Sequence, residues 1–255
     1  MARACVRSSS QYLEYAGAVA TAVPITMACW ARIDDLSVTQ SLLGVYANGS
    51  ATNRFHLQLV AATANLRAVT FGASSATATT STSAAVNTWF HACAVFAATN
   101  DRRAFLNGGG KGTNAGTQTP TSIDRTAVGR SSNSTPGSYL SGRIAEVVMW
   151  NVALADAVVA ALAAGVCPFQ VEPASIIGYW PLQGLASPEP DWSANARSLT
   201  VTGATAADHA PVLPYWRRGG LYEDVAAAEA AGQPTMRRWA GVPHLGGARP
   251  QGRGW

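Results

Sequence analysis

Charge is scarce in this chain. Asp, Glu, Lys and Arg make up 13% of its 255 residues, against about 25% in an average soluble protein. A chain held open by its own charge is thereby excluded, and 48% hydrophobic residues supply material for a sizeable core. Lysine is nearly absent: Lys111 is the only one among 18 basic residues. The net charge of +4 divides into +1 over residues 1–216 (12 basic, 11 acidic) and +3 over residues 217–255 (6 basic, 3 acidic). Neither part forms the dense basic stripe of a nucleic-acid module, so nucleic acid is not expected as a partner.

Closely spaced metal ligands are missing as well. Cys5, Cys29, Cys93 and Cys167 contain no C-x-x-C pair, and His56, His91, His209 and His244 show no H-x-x-x-H spacing. Zinc sites are built from such pairs, so no metal cluster is expected. Cys29 and Cys93 sit in apolar runs and read as buried free thiols. The longest apolar stretch, Ala157–Phe169, is interrupted by Gly165 and Pro168 and falls short of the ~20 residues a membrane span needs. Arg3, Arg7 and Glu14 break any apolar leader, so the expectation is a protein made without Sec export.

Catalytic signatures are likewise absent. No G-x-S-x-G, no Ser/His/Asp order and no G-x-x-x-x-G-K-[ST] loop occurs. Gly108–Thr113 has the glycines of a phosphate loop without the spacing, and reads as a flexible loop. Glycosidases need two carboxylates about 5–10 Å apart. Glu189-Pro190-Asp191 is the one candidate, but its prolines make it a loop, and Glu146 is alone on its strand. The chain is therefore not expected to be an enzyme.

What is present is a period of two. The 24 Gly and 13 Pro punctuate short alternating runs. Ile25–Ile33 places Ile25, Met27, Cys29 and Ile33 on one face and Thr26, Trp30 and Arg32 on the other. Arg54–Val60 sets Phe55, Leu57 and Leu59 against His56 and Gln58. Leu66–Phe71, Trp89–Phe96, Arg103–Leu106, Arg143–Trp150, Ile176–Leu182 and Ser198–Thr202 are further strands. Trp89–Phe96, apolar on both faces, reads as central. Asn107-Gly108 is a hairpin signal. Ala73–Ala85 reads as a loop or a polar edge strand, and Gly108–Ser122 and Ser131–Ser138 as connections. Trp30, Trp89, Trp150 and Trp180 read as core, whereas Trp192 falls in a turn, where an exposed indole could stack on a sugar. One helix is expected from Leu154, Val158 and Leu162, with Asp156 in its first turn and Gly165 as its stop.

Several of these pieces, in order, resemble the laminin G-like, concanavalin A-like sandwich, especially its pentraxin-related variety. They are Tyr12-Leu13-Glu14, Ile25-Thr26-Met27-Ala28-Cys29-Trp30-Ala31, Trp89-Phe90-His91-Ala92-Cys93-Ala94-Val95, Phe105-Leu106-Asn107-Gly108, Ala127-Val128-Gly129-Arg130, Leu140-Ser141-Gly142-Arg143-Ile144-Ala145-Glu146-Val147, and Asn151-Val152-Ala153-Leu154 with its helix. Tyr179-Trp180-Pro181-Leu182 and Asp191–Asn195 resemble a segment that precedes the domain in many relatives and here follows it. The resemblance implies an all-β, two-sheet antiparallel jelly-roll sandwich over residues 1–214, with one short helix and no intrinsic catalytic centre. It makes Glu146 structural, bonding a turn. Relatives bind glycans, proteins or calcium, or only build structure. The acidic cluster of a pentraxin calcium site is not recognisable here, so no cofactor is expected, with bound calcium as the lesser alternative.

Residues 215–255 read as an extended arm, with two helical turns admissible over Glu223–Ala231. The arm interleaves Trp and Arg, the residue types that dominate interface energetics. Trp216, Arg217, Arg218, Arg237, Arg238, Trp239, Arg253 and Trp255 are the candidate partner-binding residues. The Arg-Arg-Trp-Ala-Gly-Val-Pro-His stretch and the Arg-Gly-Trp terminus resemble C-terminal tails of tailed-phage virion proteins. That resemblance implies a structural protein of a bacteriophage virion, a capsid decoration or head-surface component, assembled in the host cytoplasm. Its partner would be the major capsid protein, another virion protein, or a second copy in a homo-oligomer. A tail or baseplate position fits the residues equally. The alternative is a lectin-like adhesion module, on a tail or fibre among other places, that binds glycan through the sandwich.

Overall fold

Where apolar and polar residues alternate, the chain forms strands, and these assemble into two antiparallel sheets packed face to face. The computed structural model describes residues 1–184 and 187–210. In chain order the strands are Ala2–Cys5 (β1), Tyr12–Tyr15 (β2), Ile25–Ile33 (β3), Gln40–Tyr46 (β4), Arg54–Leu59 (β5), Asn65–Phe71 (β6), Ser75–Ser83 (β7), Trp89–Ala98 (β8), Asp101–Leu106 (β9), Gly109–Asn114 (β10), Arg125–Val128 (β11) and Gly142–Trp150 (β12). The helix Asp156–Ala163 (α1) follows, then Ile176–Trp180 (β13), Thr200–Thr202 (β14) and Thr205–Ala207 (β15). One sheet has the order β10-β9-β8-β3-β12-β1-β15, with β13 also paired to β12. The other has the order β14-β2-β11-β4-β5-β6-β7. Among the described residues no helix is long and apolar enough to cross a membrane.

The core lies between the sheets. Ile25, Met27, Cys29, Ala31 and Ile33 of β3 meet Leu43, Val45, Phe55, Leu57, Leu66 and Ala68 from the opposite sheet. Cys29 and Cys93 are buried and free, as their apolar runs suggest. A second cluster forms on the outer face of the eight-stranded sheet, where α1 packs Val159 and Leu162 near Cys93, Phe105, Val148 and Trp150. Val159 rather than Val158 is the fully buried residue of that helix. Trp150 and Trp180 are fully buried, while Trp89 is only half-buried.

Several strands depart from the sequence reading. Every residue of β4 is buried, although Gln40-Ser41-Leu42-Leu43-Gly44-Val45-Tyr46 does not alternate. A register shift between Ser41 and Leu43 puts both leucines into the core. The polar residues are satisfied in place: Gln40 Nε2 donates to Asp35 O at 2.7 Å, and its Oε1 accepts from Ser141 N at 2.7 Å. Ala2–Cys5, not foreseen as a strand, pairs with both β12 and β15. Gly109–Asn114, read as part of a connection, is an edge strand on β9. Backbone bonding needs no apolar alternation, and Arg102 Nη1 fixes its end on Asn114 Oδ1 at 2.5 Å. The turn before it matches its signal, since Asn107 and Gly108 have φ of 51° and 73°, as a two-residue hairpin requires. The polar run after Ala73 becomes the edge strand β7.

The turn that follows β13 is tied down by Asp191. Its Oδ1 accepts from Tyr179 N (3.0 Å) and Ser193 N (2.9 Å), and its Oδ2 from Ser193 Oγ and Arg197 N, both at 2.9 Å. Trp180 Nε1 then donates to Arg197 O at 2.8 Å. Asp191→Ala orphans several of these donors and is expected to cost about 2–3 kcal/mol. Urea unfolding followed by tryptophan fluorescence checks this; an unchanged midpoint would show the turn to be held by other contacts.

Candidate functional site

The eight residues singled out in the C-terminal segment, from Trp216 to Trp255, lie outside the described residues. The Glu189/Asp191 pair does not converge on a common point. Glu189 is buried with its Oε1 2.5 Å from Arg3 Nε and 2.9 Å from Gly184 N, while Asp191 holds its turn. Glu146 bonds no turn. It stands at the irregularity of β12 with φ 51°, accepts the Tyr179 hydroxyl proton through Oε2, and has Oε1 3.0 Å from His209 Nε2. Trp192 is 37% exposed and meets Tyr179 edge-on at 6.3 Å between ring centroids.

The outer face of the seven-stranded sheet gathers a different set. Arg125, Tyr46, Arg54 and Phe71 are successive cross-strand partners in β11, β4, β5 and β6, and such partners share a face. Two residues along the ladder come Ala127, Gly44, His56, Val69 and Thr77, and beyond them Gln58, Arg67 and Thr79. The alternate residues of β5 and β6, Phe55, Leu57, Leu66 and Ala68, point into the core. One period-two pattern thus makes the core on one side and this polar face on the other.

The floor is aromatic and neutral. Tyr46 has no exposed surface and His56 has 4%. A Cβ at Gly44 would stand 2.6 Å from the Tyr46 hydroxyl oxygen and 2.6 Å from His56 Cβ, so only glycine lets the phenol ring lie across β4. The hydroxyl then pairs with Ser41 Oγ at 2.7 Å, and the Tyr46 and His56 rings meet edge to face at 5.8 Å. Burial pushes the Tyr46 phenol up to about 12. Burial, with the Arg54 charge adding to it, pushes His56 down to about 3. Both groups are uncharged at neutral pH. His56 Nε2 is sealed without a hydrogen-bond partner.

Loop 130–139 is tied to β2, to β4 and to the turn that follows β4. Ser131 and Gly137 exchange backbone hydrogen bonds at 2.8 and 3.2 Å, and Ser134 N donates to Ser50 O at 3.1 Å. Asn133 Nδ2 reaches Ala51 O at 3.1 Å. At the root of the loop the Arg130 guanidinium lies 3.5 Å above the Tyr12 ring centroid. Its Nη2 donates to Glu14 Oε2 at 2.7 Å, and Ser132 Oγ donates to the same oxygen at 2.5 Å. Arg125 Nη1 is 3.4 Å from Glu14 Oε1. This one carboxylate therefore serves two arginines.

Arg54 and Arg67 have no such partner. Arg54 Nη1 donates to Ala51 O at 2.7 Å, and its guanidinium lies 4.6 Å from the Phe71 ring centroid. Burial holds its pKa below the usual arginine value. The Arg67 guanidinium has no hydrogen-bond or ion-pair partner among the described residues. The Nε atoms of Arg54, Arg67 and Arg125 are all buried and unpaired. With Arg130 these are four arginines against Glu14, so the face carries an excess of positive charge and a surplus of donors. That arrangement suits the capture of an acceptor-rich or anionic molecule.

Comparison with known proteins places the fold. The family described as Concanavalin A-like lectin/glucanases superfamily matches residues 7–160. Among solved structures, a Bacteroides ovatus protein with a proposed carbohydrate-binding role superposes with a TM-score of 0.59 at 16% identity, covering 83% of this chain and 61% of that one. The chain thus spans about three fifths of that protein's length. The CBM40 module of the Ruminococcus gnavus IT-sialidase, solved with alpha2,3 sialyllactose, gives a TM-score of 0.52 at 15% identity, covering 64% of this chain and 98% of the module. A heptameric SAP-like pentraxin from Limulus polyphemus is also similar, with a TM-score of 0.45 at 13% identity over 60% of this chain and 75% of that one. No curated protein matches in sequence.

Proposed function

The chain belongs to the concanavalin A-like lectin/glucanases superfamily, and from that membership we propose that it binds carbohydrate on the outer face of its seven-stranded sheet. The observation that carries this reading is the face itself. Arg54, Gln58, Arg67 and Thr79 offer hydrogen bonds around a neutral floor of His56 and Val69. Sugars present hydroxyl oxygens at their edges, and hydrogen-bonding side chains set around an uncharged floor answer them. The carbohydrate-binding neighbours support the reading by analogy of fold.

The proposed chemistry is binding without turnover. Glu14 is held by Arg125, Arg130 and Ser132, and His56 is neutral and sealed, so neither is poised to move a proton. The assembly role expected of the C-terminal segment is compatible with glycan binding, since a sandwich carried on a particle can also adhere to sugars. Its anchors lie outside the described residues, however, and the fold neighbours speak for the glycan.

Printed glycan arrays probed with the full chain test the proposal. Thr77 lies across from Val69 on this face, and Thr77→Trp would fill the surface while leaving every arginine in place. It is expected to weaken glycan binding at least about tenfold, a loss of ~1.4 kcal/mol. Trp192→Ala, in the turn beside β13 and away from this face, is expected to leave binding unchanged. The reverse pattern would move the site to Trp192, and silence across the array would end the carbohydrate reading.

A further inference from the structure

The distribution of charge on this face specifies a class of sugar, an inference that rests on the carbohydrate-binding reading. We propose that β5 and β6 take an acidic oligosaccharide bearing carboxylates on separate residues, one held by Arg54 and another by Arg67, with a neutral stretch between them over His56 and Val69.

Charge complementarity is the first argument. Glu14 answers Arg125 and Arg130, whereas Arg54 and Arg67 have no carboxylate within ion-pair distance among the described residues. A face built for neutral sugars has no need of two uncompensated guanidinia, and leaving them unpaired at a half-buried surface is costly. The second argument is the donors left over. An arginine fork that grips a carboxylate uses two parallel N–H donors. The Nε atoms are sealed, so the terminal guanidinium nitrogens face a ligand: both on Arg67, which has no partner among the described residues, and Nη2 on Arg54, whose Nη1 is given to Ala51 O. Lysine would supply charge without the fork.

Spacing is the third argument. Arg54 pairs with Phe71, and Arg67 pairs with Gln58 on the same ladder. The two arginines are thus four residues apart along the strands, about 13 Å at the usual rise. Two acid groups on different residues of one chain meet this spacing better than a single terminal acid. The floor between the two arms, His56 and Val69 at 4% exposure each, carries no charge to be desolvated.

Titration calorimetry of the full chain tests this with four probes: an oligogalacturonate (an acid on every residue), 3′-sialyllactose (one acid), lactose (none) and dextran sulfate (charge of a different kind). The expected order of affinity is oligogalacturonate above sialyllactose above lactose. Arg54→Gln and Arg67→Gln are each expected to weaken oligogalacturonate binding about tenfold without lowering the melting temperature, and raising salt from about 50 to about 500 mM should weaken it further. Tight binding of neutral glycans with none of acidic ones would overturn the charge assignment and leave the carbohydrate reading standing. Failure of every glycan on calorimetry and array alike would remove both. Oligogalacturonate binding that survives the double variant would place the site elsewhere. Sialyllactose binding as tightly as oligogalacturonate, with only one arginine mattering, would overturn the two-point arrangement. Equal binding of dextran sulfate would reduce the effect to bulk charge and overturn the carboxylate assignment.

Discussion

Gly142→Ala is expected to lower the melting temperature by about 10 °C or more. Gly142 opens β12 between two neighbours, pairing with Ile33 of β3 and Cys5 of β1. Its φ is 151°, and a Cβ there would lie 2.1 Å from Arg32 O and 3.0 Å from Ile33 Cα. Those are backbone atoms of a central strand, so no side chain can rotate away to make room. Relief requires β12 to draw back from β3, which loosens the ladder that joins the middle of the eight-stranded sheet. Overpacking of this kind costs roughly 1–3 kcal/mol, and backbone strain at a position suited to glycine adds a similar ~1–3 kcal/mol. Gly49→Ala is the control, because a Cβ there meets nothing within 4 Å and should leave melting unchanged. Differential scanning calorimetry of both variants decides the matter. Equal melting temperatures would mean that β12 and β3 do not approach as closely as described.

That glycine also marks how far the fold was readable beforehand. Leu140-Ser141-Gly142-Arg143-Ile144 carried a family resemblance, and the reason for its glycine emerges only when β3 lies beside it. Strands with strict alternation were legible nearly to their ends: β3 spans Ile25–Ile33 as read, and β5 stops one residue short of the reading. The central place of Trp89–Ala98, between β3 and β9, followed from its two apolar faces. Strands held by other means were not legible. The bulge in β4 and the polar Gln40 and Ser41 hid it, because their satisfaction depends on Asp35, Ser141 and Tyr46. The face of the seven-stranded sheet was hidden for a related reason. Arg54, Arg67 and Arg125 have no telling spacing along the chain, and only the ladder register aligns them. The Trp and Arg residues of the C-terminal segment, by contrast, cluster along the chain itself.

Acid is expected to unfold this protein early. His56 and His91 are both buried, and burial pushes each down to about 3, against about 6.5 in an unfolded chain. Between those values the unfolded state binds the protons and the folded state does not. The stability that depends on neutral histidine is therefore fully present above about pH 6.5 and falls as the pH drops toward 3. Each histidine contributes a slope of about 1.4 kcal/mol per pH unit once the pH is well below 6.5. Two such slopes would consume a typical margin of ~5–15 kcal/mol within a few pH units, so half-unfolding near about pH 4 is the expected result. Asp35, held well below its ordinary value by hydrogen bonds from Ser37 and Arg7, gives up stability in the same direction at lower pH. His91 permits a clean separation of causes. Its Nδ1 has no partner and its ring meets Trp30 edge-on at 5.6 Å, so His91→Phe keeps an aromatic ring there without the basic nitrogen. The variant should match or exceed the parent at pH 7 and lose about half of the acid slope in urea unfolding between about pH 6 and 4. His56 lies in the floor of the proposed sugar face, so protonation there would disturb Tyr46 and Gly44 directly, and binding should fail no later than unfolding. An unfolding free energy that stays level from pH 7 to about 4.5 would show that both imidazoles gain protons without cost, and the sealed floor described for this face would then be wrong.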